Sequence, residues 1–229
     1  MKKTLILLHA ELGIKEDLDP LKDLLKDKLD VHTFTFSGHG NMPAADEFRV
    51  EQFARELDEY ISSHKLDAPY VFGHGLGGYV ALFHKANFEH SNIEKIFTYG
   101  TKFNWSDNSI AKELPLLNPD LVLEKFPQVM SLLKKKHGDK WRWVLQSMAH
   151  LLQNLEKLDE LTSEDLGEIN IPVTLMLGDQ DRVISTEETQ SAKSHLRWAD
   201  IQIIAHSKHE IERANLKEIS KLILNDLND

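Results

Sequence analysis

Asp181 and His209 are an acid and an imidazole on two late segments, LMLGDQDRVIS and IIAHSKHEIERANLKEI, each of which opens on an apolar run. A carboxylate that orients an imidazole and stabilises its charged form turns that ring into a general base. The group for such a base to activate belongs earlier, in YVFGHGLGGYVAL, residues 70–82, which reads as a buried strand, a tight glycine turn and the start of a helix. Gly73-His74-Gly75-Leu76-Gly77 has the layout of a Gly-x-Ser-x-Gly turn, which projects a serine hydroxyl from a strained corner, but its central residue is glycine. Gly75 carries no nucleophilic atom, so no acyl-enzyme forms there.

These positions need a scaffold, and short apolar runs alternate with amphipathic segments along the chain. That is the pattern of a parallel sheet with helices on both faces. The expected strands are Thr4–His9, Val31–Phe36, Tyr70–Phe72, Ile93–Tyr99, Val173–Leu177 and Ile201–Ile204. Helical spacing runs through Leu18–Leu29, Val50–His64, Leu76–Phe88, Glu187–Leu196 and Ile211–Leu227. From about Asn104 to Gly167 no strand pattern occurs, and Leu121–Lys136 and Asp139–Leu158 read as helices. The expected organisation is therefore an α/β core of residues 1–103 and 168–229, with about six mostly parallel strands, and a helical insertion of residues 104–167 over one end of the sheet.

Composition narrows the partners. The 229 residues are 41% hydrophobic, enough for one well-buried core. There is no cysteine, which excludes disulfides and thiolate metal sites and fits a reducing, cytoplasmic setting. The opening MKKTLILLHA reads as a strand, because its apolar run is shorter than an export signal needs. No run approaches a membrane span. A net charge of −10 disfavours nucleic acid, and Lys134-Lys135-Lys136 reads as a solvated face. The expected partner is a small-molecule substrate or ligand, with no nucleic acid, membrane, cofactor or metal; the sequence assigns no oligomeric state.

Five segments in order resemble the α/β-hydrolase family. His9-Ala10-Glu11-Leu12-Gly13 follows the first strand, at the place of that family's His-Gly-x segment. Ser37-Gly38-His39-Gly40 is similar to its Gly-His-Gly loop, and then come the turn at Gly75, the acid at Asp181 and the histidine at His209. The resemblance implies an ester or carbonyl hydrolase with a helical cap and no cofactor. It places Gly75 at the nucleophile position, with the backbone N–H groups of Glu11 and Leu76 as oxyanion donors. Ala10 replaces a usual glycine, and a carboxylate at Glu11 opposes a developing oxyanion unless it turns to solvent. His9, His74, Trp143 and Met148 are the expected pocket walls, although Trp141, Trp143, Met148 and Leu151 also read as cap-to-core packing.

Other hydroxyls near the carboxyl edge of the sheet, Ser37, Thr101 and Ser207, read as partners of local backbone. His206, His209 and Asp181 lack the helical spacing expected of a metal site. Three readings of Gly75 stay open at this level. The chain is a hydrolase scaffold with weak or absent serine-type activity, a non-catalytic small-molecule binding protein, or an inactivated variant of an active esterase.

Overall fold

The computed structural model describes residues 2–226. Its strands are β1 (Thr4–Leu8), β2 (Asp30–Thr33), β3 (Tyr70–His74), β4 (Lys95–Tyr99), β5 (Val173–Gly178) and β6 (Ala199–Ile204). They form one six-stranded sheet in the order β2-β1-β3-β4-β5-β6, with every neighbouring pair parallel. Helices α1 (Asp19–Leu25), α2 (Val50–Ser63) and α3 (Leu76–Asn87) connect the first four strands. Helix α4 (Asp107–Ile110), α5 (Pro119–Lys125), α6 (Pro127–His137), α7 (Trp141–Leu158) and α8 (Ser163–Glu168) fill the connection from β4 to β5. Helix α9 (Thr186–His195) joins β5 to β6, and α10 (Leu216–Asn225) follows β6. Leu227, the expected end of the last helix, lies outside the described residues.

The central strands are apolar throughout because both faces of the sheet are covered. Alternate residues diverge, with Ile6, Leu8, Val71 and Ile96 packing into the core that also holds Phe53, Leu57 and Val80. Leu5, Leu7, Phe72 and Phe97 pack on the other face with Leu21, Leu25, Ile219 and Ile223. Strand order reverses at β1, which has β2 on one side and β3 on the other. In such sheets the crevice for a ligand opens beyond the carboxyl ends of the strands at the reversal. Here those ends lead into His9–Gly13 and into Gly75.

Three departures from the sequence pattern have identifiable structural causes. Strand β2 stops at Thr33 instead of Phe36. The Phe36 N–H, at the far end of that run, is taken by His9 Nε2 at 3.1 Å. The expected helix 121–136 is two helices, because Phe126, ahead of Pro127, is driven out of the helical region to φ −131°, ψ 59°. Lys136 is not a solvated lysine: it meets Asp17 at 2.6 Å and pins α6 to the core. A second tie holds the end of α7, where the Asp159 side chain, 2% exposed, accepts two bonds from Arg49 at 2.8 Å and the Val50 N–H at 3.0 Å.

Candidate active site

The turn after β3 is built by close backbone packing. A Cβ on Gly73 would stand 2.2 Å from the Gly78 nitrogen, and one on Gly77 would stand 2.6 Å from the Leu8 carbonyl oxygen. Glycine at both positions lets α3 start against β1 and β3. Gly75, immediately before α3, has φ 52° and ψ −121°, a backbone that L residues rarely adopt. It is held by its N–H on the Tyr99 carbonyl at 2.9 Å and by Thr101, whose hydroxyl donates to the Gly75 carbonyl at 3.0 Å. Thr101 is thus a support for the turn. The Ser207 hydroxyl is likewise spent on backbone, donating to Ala205 and accepting from Asn215. Ser37, expected to bond local backbone, instead has its hydroxyl buried by the end of β2 without a hydrogen-bond partner among the described residues.

Asp181 and His209, which the resemblance implies as acid and base, lie side by side. His209 Nδ1 lies 2.9 Å from Asp181 Oδ2, with the Asp181 side chain 1% exposed and the imidazole 19% exposed. The second carboxylate oxygen accepts the N–H groups of Val183 and Ile184 at 2.8 and 2.9 Å. Ser185, and not Asp181, caps α9 through the Glu188 N–H. Burial opposes the His209 charge, but the Asp181 hydrogen bond and carboxylate, with the Glu11 charge, hold its pKa above the ordinary value. Burial also works against the Asp181 charge, and the hydrogen bond and charge of His209 hold that carboxyl below its ordinary range. His209 sits in the loop after β6 rather than opening a helix. Gly100, which sequence reading missed, makes room for the pair: at φ 59°, a Cβ there would stand 3.1 Å from the His209 ring.

The loop after β1 is gripped by three buried histidines, each bonded to a successive carbonyl. His9 Nδ1–H donates to Ala10 at 2.8 Å, since its other nitrogen accepts from Phe36. His39 Nε2 bonds the Glu11 carbonyl at 2.7 Å, and His137 Nε2 bonds the Leu12 carbonyl at 3.1 Å while its Nδ1 accepts the Gly40 N–H. The donors come from β1's own end, the loop after β2 and the cap. With the carbonyls turned toward the histidines, the Glu11 side chain is directed at the Gly75 turn. Its Oε2 stands 2.6 Å from where a Cβ on Gly75 would be.

Of the two courses open to the Glu11 carboxylate, opposing an oxyanion or turning to solvent, its direction toward the Gly75 turn is the first. Burial pushes its pKa up, against the His209 charge and the N–H groups of Glu11 itself and Leu76, with Glu113 adding to the rise.

The expected pocket walls separate. His9 and Met148 are 1% and 0% exposed and belong to the packed interior. His74 is buried, bonding the His209 carbonyl at 3.0 Å, and burial followed by the His209 charge lowers its pKa to about 3. Trp143 packs edge-on against Phe48 at 5.1 Å, over Gly38. None of the four lines either of two cavities found elsewhere. One, of about 530 Å³, is bordered by Phe103, Leu161, Glu188 and His195; the other, of about 890 Å³, by Thr35, Tyr60, Glu56 and Lys136. Among the described residues, no group of three or more His, Asp or Glu is placed to hold a metal ion, and no helix is long and apolar enough to cross a membrane.

The sheet, the turn before α3 and the His209-Asp181 pair are those of a hydrolase scaffold, and the family model described as the alpha/beta hydrolase family matches residues 5–215. The chain belongs to the α/β-hydrolase family. No curated protein sequence matches it. Solved structures with the same fold include a putative lipase from Acinetobacter baumannii, at 18% identity and TM-score 0.80 over 99% of this chain and 83% of that one. An esterase from Exiguobacterium antarcticum aligns at 17% identity and TM-score 0.78 over 99% of this chain and 92% of its own. The 2-hydroxy-6-oxo-6-phenylhexa-2,4-dienoate hydrolase of a Rhodococcus species aligns at 15% and 0.78 over 100% and 91%.

Proposed function

We propose that this chain keeps the scaffold and the acid-base half of an ester or carbonyl-compound hydrolase but does not carry out serine-type acyl transfer. The observation that carries this is Gly75, at φ 52° and ψ −121°, which presents no atom for the His209-Asp181 pair to activate. Its partner is a small carbonyl compound or a related ligand; with a net charge of −10, nucleic acid is not among the expected partners. A chain without cysteine suits the reducing cytoplasm, where we place it. The hydrolytic route left to these side chains is water activated by His209, and scaffolds lacking a triad member retain roughly 10³ to 10⁴ of catalysis over water.

A fluorophosphonate probe read by intact mass tests the reading, with hydrolysis of p-nitrophenyl esters of several acyl lengths as the second assay. The expected outcome is no covalent adduct and no burst phase. A stoichiometric adduct at any hydroxyl would overturn the proposal. A second reading, ligand binding without turnover, is favoured by the two cavities of about 530 and 890 Å³, neither of which is lined by Gly75, Asp181 or His209. Their volumes fall within the range of small-molecule sites.

A further inference from the structure

Gly75 and Glu11 are the two departures from the hydrolase pattern at this site, and they meet in space. A Cβ on Gly75 would lie 2.6 Å from Glu11 Oε2, 3.2 Å from Oε1 and 3.0 Å from the Ala10 Cβ. A nonbonded carbon and oxygen do not approach to 2.6 Å, so a side chain at position 75 requires the flexible tip of Glu11 to shift. Burial raises the pKa of that carboxyl, and the charge of His209 and the N–H groups of Glu11 and Leu76 act to lower it. The two N–H groups are the ones expected to receive negative charge developing on a substrate oxygen. The three histidines on the carbonyls of Ala10, Glu11 and Leu12 keep the segment from swinging outward.

We propose that the Glu11 carboxylate is an internal anion that occupies the oxyanion hole, and that the missing side chain at Gly75 is what makes room for it. The two residues act as one pair. Glycine at 75 removes the nucleophile, and the carboxylate then fills the space left and takes up the donors. A substrate carbonyl oxygen then has to compete with a carboxylate already seated beside the turn. It follows that restoring a serine at 75 does not by itself restore an esterase, because the Glu11 carboxylate, shifted but still tethered beside the turn, competes for the donors the intermediate needs. It also follows that the emptied hole binds small monocarboxylates, the class of ligand that Glu11 imitates.

The inference rests on the absence of serine-type chemistry in the parent chain, and a cycle over the two positions separates the two ideas. Four proteins are compared: the parent, Gly75→Ser, Glu11→Ala and the double variant. Gly75→Ser should hydrolyse p-nitrophenyl acetate within about tenfold of the parent. The double variant should exceed Gly75→Ser by at least about 10², since a restored nucleophile acts as a unit with its base. Gly75→Ser as fast as the double variant, or a double variant no faster than Gly75→Ser, overturns the Glu11 proposal and leaves the proposed function standing. Fluorophosphonate labelling of the parent instead overturns the proposed function.

A second measurement leaves position 75 untouched and decides the matter should the serine variants fail to fold. Acetate is titrated into nitrogen-labelled parent and Glu11→Ala protein. Saturable shifts of the Leu76 amide and His209 ring in Glu11→Ala alone support the internal anion. Equal response of both proteins, or of neither, overturns it.

Discussion

Histidines serve both halves of the site, and the two halves hold them in opposite electrostatic states. Under the loop from His9 to Gly13, the rings of His9, His39 and His137 are buried against backbone groups. Burial first, then neighbouring positive groups, drives each toward the neutral form, His39 to about 4. At the other half, His209 is partly buried, and Asp181 and Glu11 raise its pKa. One half uses imidazole as a neutral hydrogen-bonding strut, where a proton is a liability. The other uses it as a charge-bearing base. The difference lies in the neighbour: a carbonyl accepts a hydrogen bond without compensating a charge, whereas a carboxylate does both.

The largest effect that bears on this contrast is expected in acid. A histidine whose folded pKa is lowered stabilises the fold fully above its unfolded value, 6.5, and loses that contribution as pH falls toward the folded value. For His39, displaced to about 4, the loss amounts to about 3 kcal/mol, with His74, His9 and His137 adding in the same direction. His209 has the opposite sign: its contribution is complete below 6.5 and fades as pH rises through its raised folded pKa. Urea midpoints measured from pH 8 to pH 4 should fall steeply below about 6.5, the ordinary histidine value. A flat profile there would show that the loop histidines accept protons in place and would remove the contrast.

Glycine substitutions separate the scaffold of the turn from its centre. Gly73→Ala sets a methyl 2.2 Å from backbone of Gly78, which cannot move without unseating α3, so a loss of at least about 3 kcal/mol is expected by thermal unfolding. Stability within about 1 kcal/mol of the parent would contradict the packing described for the turn.

Asp181→Asn should act on one half only. Because the carboxylate supports the charged ring, the His209 titration midpoint should fall, read by nitrogen NMR, while His9 and His39 stay put. Losing the charged hydrogen bond should cost about 1.5–3 kcal/mol near neutral pH. An unmoved His209 curve would dissolve the pair.

The smallest effect is expected at Gly75→Ala. Its methyl meets the tip of a flexible side chain rather than backbone, so the cost is mainly that of a positive φ, about 1–2 kcal/mol. The same change in a Glu11→Ala background should cost less, and equal costs in both backgrounds would break the link between the two positions.

Element order and the glycine turn around Gly75 were legible in the linear pattern, and the resemblance pointed to Asp181 and His209. Each rests on local rules: apolar runs that must be buried on both faces, glycines that allow close backbone approach, and residue types that the resemblance places at strand ends. The extent of β2 and the break at Phe126 were misread at the level of boundaries. Proline explains the second locally, whereas the first depends on His9, 27 residues away from Phe36.

What the amino-acid sequence determined on its own is that position 75 has no nucleophile and that a base and its acid follow on later strands. Only the tertiary structure decided where the Glu11 carboxylate goes. Its direction is set by His39, 28 residues from Glu11, and by His137, 125 residues from Leu12. It is set as well by the space that Gly75 leaves empty on a different strand-to-helix turn. A side chain's rotamer follows from the shape and charge of the cavity around it, and that cavity is assembled from segments that no local pattern relates to one another.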